Sequence, residues 1–499
     1  SSALATQNRT NYGAKNPQVE VIGPITISPL PIAHRPSTSQ GGDAMALSSP
    51  KKDMKDDNND NFLDEEFLRH LPHPPLTTSA AADVIDTSAS SASPPPSWKR
   101  LGATIVGDAA FDKLGNSVSL SADASTLAIG APEHNDDMGY VKVYRIDNDG
   151  GDGVQLGQTI YGDAADNYFG DSVDITPDGT TIICGSSGFS GRPGYVRVFS
   201  LEGDIDLVTD NWKQIGQEIV GEANGDYFGR SVSISEDGKT IAVGAPNSDG
   251  NNGAHLGRVR IYCLADDGTS WEKIGQDIDG MAAGDSLGRS VSLSADGSIV
   301  AIGAPGNSNN GDYSGHVAVY RIDDEGSSWE RLGQNIHGDN EDYFGYSVNL
   351  SPDGSTLAIG SPKYYGDGAG YVRVFSLSSG DDTDTFPWKQ IGQDIVGFAD
   401  NDRFGYSVSL SDDGRTLAVG ARRGKGKNGI DSGIVRIYRM NDAEMNWIQI
   451  GDDIDGEAVF DLSGHSVSLS ANGNKAAIGS PNNGDNGDYS GHVRVFRLK

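Results

Sequence analysis

The chain has 499 residues, enough for more than one domain of average size, with 70 acidic against 38 basic residues and a net charge of -32. That balance argues against general nucleic-acid binding and against docking on an anionic membrane by charge alone, and fits a solvated acidic surface, cation binding or a saline environment. No apolar run reaches the roughly 18 residues of a membrane span, the two cysteines have no metal-ligand spacing, and 67 glycines fit a chain full of tight turns.

Residues 1–97 are rich in Ser, Thr, Pro and Ala around a charged island, KKDMKDDNNDNFLDEEFLRHLPHPP. Such text buries little, and a disordered extension is expected. Within it Phe62, Leu63, Phe67 and Leu71 fall near one face of a short helix stopped by Pro72, a transient helix or a docking motif. The chain opens on Ser1 rather than Met, compatible with a removed leader, although no leader is visible.

From Trp98 onward one unit repeats. A recurring Ser-Val pair places Ser117, Ser172, Ser231, Ser290, Ser347, Ser407 and Ser466 in register, at intervals of 55, 59, 59, 57, 60 and 59. A period this long signals an array or a propeller. Each copy holds four strand signals. Strand A reads SVSLS; a tight turn such as Asp353-Gly354 leads to strand B, TLAIG. A longer loop leads to strand C, GYVRVF, and strand D follows, as in WKQIGQDIVG. All six tryptophans (98, 212, 271, 329, 388, 447) open a D segment, and only the copy around Val154 lacks one; packing anchors are expected. Strands A and B carry Val, Leu and Ile on one face and Ser, Ala and Gly on the other. Sheets of that kind stack bulky face on small face, and radial stacking of four-stranded sheets gives a closed seven-bladed, all-β propeller. The repeats begin with a D strand, Trp98–Val106, and end with a C strand at Lys499, so the N-terminal strand is expected to complete blade 7. The copies also pair a C-strand arginine with a D-strand acid: Arg197 with Glu218, Arg260 with Asp277, Arg373 with Asp394 and Arg436 with Asp453. Blade 4 has Ala318 and Asn335 at the two places. Cross-strand ion pairs follow, a structural rather than functional use of these arginines.

Phe-Gly-x-Ser-Val, then Gly-Ala-Pro or Gly-Ser-Pro, then Gly-x-Val-x-Val resembles the FG-GAP repeat of the integrin α propeller. It is carried by Phe169-Gly170, Phe228-Gly229, Phe344-Gly345 and Phe404-Gly405, and by Gly130-Ala131-Pro132, Gly244-Ala245-Pro246, Gly303-Ala304-Pro305, Gly360-Ser361-Pro362 and Gly479-Ser480-Pro481. The resemblance spans 98–499. It implies a seven-bladed propeller for extracellular or cell-surface recognition and adhesion, binding proteins or glycans. Calcium in that family lies in a long Asp-x-Asp-x-Asp-Gly loop between A and B. Here that connection is a tight turn with one or two acids, against the six to eight oxygens Ca²⁺ takes, so family-type sites are not expected.

The D–A and B–C loops of such blades share a face. Asp112, Asp226, Asp285, Asp342, Asp402 and Asp461, with Asn167 in the remaining copy, stand three residues before the FG glycine or its counterpart; a loop-stabilising Asx hydrogen bond is expected. The B–C loops vary, spanning 9, 9, 13, 12, 10, 13 and 12 positions, and variation on a fixed scaffold is where specificity lives. Blade 6 carries Arg422, Arg423, Lys425 and Lys427, and blade 5 carries Lys363, Tyr364 and Tyr365. These are the candidate ligand residues, suited to an anionic glycan or an acidic protein surface; a solvated loop is the alternative. Asp249, Asp312, Asp485 and Asp488 sit in Asn/Asp/Gly-rich loops, as weak Ca²⁺ ligands or plain turn residues. No confident cofactor emerges. No catalytic residue emerges either: only His316 and His492 share a repeat position, no G-x-S-x-G motif occurs, and sialidase, WD40 and kelch signatures are absent. The expectation is a non-catalytic recognition propeller. The alternative is a propeller hydrolase or lyase acting on polysaccharide.

Overall fold

The computed structural model describes residues 96–147, 150–188, 191–203, 211–250, 253–363, 368–378 and 387–499. The expected disordered extension, apart from its last two residues, lies outside them. Seven antiparallel sheets follow one another, each in the order A-B-C-D. Blade 6 is representative: A is Phe404–Leu410, B is Thr416–Ala421, C is Ile434–Asn441, and D is Asn446–Gln449 continued by Ile454–Asp455. Blade 7 is completed by Trp98–Val106, which pairs with the C strand His492–Leu498 from Trp98 opposite Leu498 to Val106 opposite His492. The ring is therefore closed by the first strand of the repeat region. Its register shifts between Leu101 and Ile105, where Gly102 has φ +61°, the bulge that breaks the strand's alternation.

The repeated motif residues are the joints between blades. The Ser-Val hydroxyl donates to the carbonyl of the glycine just after the FG phenylalanine, or its counterpart, in the next blade. This happens all the way round, from Ser117 to Gly170 (2.8 Å), through Ser347 to Gly405 (2.9 Å), to Ser466 back to Gly115 (2.8 Å). The glycine of Gly-Ala-Pro makes room for that approach: a Cβ on Gly130 would stand 1.9 Å from the Gly170 carbonyl oxygen. A second circle runs between the A strands, nearer the axis. Ser233 Oγ accepts from the Leu293 amide (3.1 Å), Ser292 from Leu350 (3.0 Å), and Ser468 from Leu120 (3.0 Å), closing the ring.

The tryptophans staple the outer edge. Each indole N–H donates to a D-strand carbonyl of the preceding blade, as Trp271 does to Ile215 (3.1 Å) and Trp98 to Ile450 (2.9 Å). In most blades a glutamine reinforces the joint: Gln217 donates to the Trp271 carbonyl (2.8 Å) and accepts from its amide (2.8 Å). Core layers form where the small face of one blade meets the bulky face of the next: Ala128 of blade 1 packs with Val173, Ile175 and Ile182 of blade 2. The four Arg–acid pairs read from the repeats are all made, at closest distances from 2.6 Å for Arg197–Glu218 to 3.1 Å for Arg373–Asp394.

Candidate functional site on the loop face

The D–A and B–C loops meet on one face. The glycine that opens strand C bridges to the residue at the FG phenylalanine position, as Gly315 does to Phe344 and Gly370 to Phe404. The residue just before that position is left-handed in every copy although never glycine: Lys113, Tyr168, Tyr227, Ser286, Tyr343, Arg403 and Leu462 have φ between 53° and 57°. The loops are held by the recurring aspartates. Asp461 Oδ2 accepts from the Glu457 and Ala458 amides (3.0 and 2.8 Å), and Asp285 Oδ2 does the same for Met281 and Ala282 (2.9 and 3.0 Å). The same carboxylates then reach across to the B–C loops. Asp285 takes Asn307 (2.9 Å), Asp461 takes Asn483 (3.2 Å) and Asp112 contacts His134 (2.7 Å). These aspartates pin loops to one another, as the Asx reading expected.

The basic loop of blade 6 divides in two. Lys425 and Lys427 are exposed and Arg423 is half-buried, on the outer part of the face. Arg422 does not join them, which corrects its placement on the exposed basic loop. It occupies the place that is proline in five copies, is only 2 % exposed, and lays its guanidinium 4.2 Å over the Tyr406 ring with Nη1 3.5 Å from His465 Nδ1. Beside Lys425 and Lys427 lies a hollow of about 210 Å³, lined also by Phe398, Asp402, Arg436 and Asp455. Phe398 is 71 % exposed, and Arg436 stacks on its ring at 3.4 Å while paired to Asp453. Lys427 Nζ is 3.3 Å from Asp455 Oδ2. Burial raises the pKa of Asp402 at the hollow's base, against the lowering effect of its hydrogen bond from Ala399 and of the nearby Arg436 charge. Ile430, Val459 and Phe460 add exposed apolar surface from the adjoining loops.

The blade 5 candidates give less. Lys363 Nζ lies 3.5 Å from the buried Asp342, so it serves a loop anchor, and Tyr364 and Tyr365 lie outside the described residues. Of the calcium candidates, Asp249 accepts from the His255 amide (2.9 Å), while Asp312 and Asp488 are exposed. Among the described residues, one group of three or more metal-type donors converges, Glu457, Asp485 and His492; Asp485 is thus the only one of the four drawn into a cluster.

The axial mouth was not anticipated. The residue after the FG glycine or its counterpart is Asn116, Asp171, Arg230, Arg289, Tyr346, Tyr406 and His465 in turn. Neighbours touch around the axis: Asn116 and Arg230 both donate to Asp171 (3.1 Å each), Arg289 donates to the Tyr346 hydroxyl, and the Tyr346–Tyr406 and Tyr406–His465 ring centroids are 5.0 and 4.9 Å apart. The only signal in the sequence was that this motif position varies while its neighbours do not.

A family model described as the FG-GAP repeat matches residues 221–262 and 397–438. A phosphatidylinositol-glycan-specific phospholipase D of Dictyostelium discoideum is 24 % identical over 322 residues, which cover 54 % of this chain and 33 % of that protein. The chain thus spans about a third of that relative's length. Two solved structures described as putative 6-phosphogluconolactonases are also similar. The one from Bacteroides uniformis has TM-score 0.49 and 15 % identity, covering 69 % of this chain and 87 % of its own; the one from Bacteroides fragilis has TM-score 0.46 and 18 % identity, covering 69 % and 85 %. Among the described residues no helix is long and apolar enough to cross a membrane. With the motif in phase at every inter-blade joint, the chain is a seven-bladed β-propeller that carries FG-GAP repeats, and it resembles the integrin α propeller.

Proposed function

We propose that the protein is a non-catalytic recognition module, extracellular or at the cell surface, whose loop face binds an anionic partner: a sulfated or carboxylated glycan, or an acidic protein surface. The observation that carries this reading is the blade 6 hollow, where an aromatic ring 71 % exposed stands beside Lys425 and Lys427 on a chain of net charge -32. An exposed ring next to cations suits a sugar face with an anionic substituent, and a rigid loop framework lowers the ordering cost of binding. The phospholipase name of the relative favours a hydrolase as second reading. Against it, the recurring loop-face aspartates are engaged as loop anchors, as at Asp112, Asp285 and Asp461.

An array of sulfated, carboxylated and neutral glycans, together with acidic peptides, tests the proposal. Changing Arg423, Lys425 and Lys427 together to Ser should weaken binding to the anionic members and flatten its salt dependence, with no change in melting temperature. Arg422 is left intact because it is buried. Binding that survives the triple change removes the proposal, and release of cleaved product from a bound glycan or lipid would establish the hydrolase instead.

A further inference from the structure

We propose that Glu457, Asp485 and His492 form a site for one divalent transition-metal ion of the Zn²⁺ type on the loop face of blade 7. The three residues come from separate elements: Glu457 from the D–A loop entering the blade, Asp485 from its B–C loop, and His492 from the first position of its C strand. One donor atom of each lies within 4.8 Å of the other two. His492 Nδ1 is 3.3 Å from Asp485 Oδ2 and 3.9 Å from Glu457 Oε2. Ligands about 2.0–2.1 Å from a tetrahedral ion stand roughly 3.3 Å apart; the His492–Asp485 pair already has that spacing, and Glu457 has to draw in to complete the set.

Two features set this group apart from a chance cluster of acids. The imidazole is fully buried and its Nδ1 faces both carboxylates, so Nδ1 is the nitrogen that would bind the ion. Glu457 is also oriented: its Oε1 faces Arg100 Nη1 (3.5 Å) and Arg494 Nη1 (3.6 Å), which leaves Oε2 toward the histidine.

The chain supplies its own comparison. The blade 4 loop GNSNNGDYSGH, residues 306–316, matches the blade 7 loop NNGDNGDYSGH, residues 482–492, and both end in the buried histidine. In blade 4 Asn309 stands where blade 7 has Asp485, and Met281 where it has Glu457. The two carboxylates are therefore not demanded by the loop's architecture. Asp461 does not join the converging group; its Oδ2 accepts from the Glu457 and Ala458 amides and from Asn483. One imidazole and two carboxylates suit Zn²⁺, Co²⁺ or Ni²⁺ better than Ca²⁺, which takes six to eight oxygens. Asp485 and Glu457 are half-exposed, so an entry path and a position for water exist. A bound ion would tie the B–C loop of blade 7 to the loop that carries Val459 and Phe460.

The test is calorimetric titration of the chelator-treated full chain with Zn²⁺, with Co²⁺ as a spectroscopic probe of tetrahedral geometry. One equivalent should bind and raise the melting temperature. Asp485→Asn, which installs the blade 4 residue, and Glu457→Gln should each weaken that equivalent by about tenfold or more, the former without changing the metal-free melting temperature. Changing His70 and His73 of the N-terminal extension to Gln should leave it in place. The proposal fails if the Asp485→Asn/Glu457→Gln chain binds like the parent, if the parent takes up neither ion, or if binding is lost with His70 and His73 instead.

Discussion

Asp174 is the single carboxylate in the inner circle, at a place filled by Ser or Asn in every other blade. It accepts from Ser119 Oγ (2.9 Å) and from the Ile234 amide (3.0 Å). Burial dominates these hydrogen bonds and raises its pKa. The folded state then holds the proton more tightly than the unfolded state, so stability is greatest below the unfolded value of about 4 and falls as pH rises through the raised folded value. Asp174→Asn should raise the melting temperature at pH 7, and the gain should vanish as pH is lowered toward about 4. His316 has the opposite sign. Burial, then the His337 and Arg331 charges, lower its pKa to about 3, so its contribution is present above about 6.5 and lost as pH falls toward 3. His316→Gln should flatten the fall in melting temperature across that window, and a profile unchanged from the parent would show that other groups dominate. At this scale the sequence was partly legible. The Arg–acid partners were readable because seven copies let one residue vary with another. Arg422 was misplaced because a local run of basic residues says nothing about direction, although its substitution for the repeat's proline was a signal. The axial mouth was hidden because its members share a position and not a chemistry.

Strand D shows what periodicity can and cannot give. The tryptophans were readable as anchors, but their partners lie one blade away, and the glycine two residues before the D-strand acid position explains the geometry. Gly216 has φ +66°, and a Cβ there would stand 2.5 Å from Trp271 Cδ1 of the next blade. Trp271→Phe, which keeps the ring and loses the bond to Ile215, should cost about 1 kcal/mol in denaturant unfolding, and Trp271→Ala about 3–5 kcal/mol. Equal losses would show that the indole N–H, not the packing, holds the blades. The A–B turn is likewise self-sufficient. Asp353 accepts from Ser351 Oγ (2.6 Å) and from the Ser355 amide (2.9 Å), and these bonds outweigh partial burial to hold its carboxyl below the ordinary range. Adding Ca²⁺ to chelator-treated protein should therefore leave the melting temperature unchanged; a rise of more than about ten degrees would place structural calcium in other loops.

For the whole molecule, every loop on the D–A/B–C face is positioned by a ring, and the ring depends on one strand. The closure was legible because the repeats begin on D and end on C, so only one pairing leaves no open edge. The central claim is that Trp98–Val106 locks blade 7, through pairing with His492–Leu498 and through the Trp98 bond to Ile450. Thermal unfolding of two truncated chains tests it most directly. Removing residues 1–97 should leave the melting temperature unchanged. Removing residues 1–106 takes away Trp98, Leu101 and Ile105, worth roughly 1.5–3 kcal/mol each by buried area, against a typical stability of about 5–15 kcal/mol. It also opens a strand edge, so that chain should melt far lower and aggregate. Equal melting temperatures for the two chains would contradict the closure and the blade register built on it.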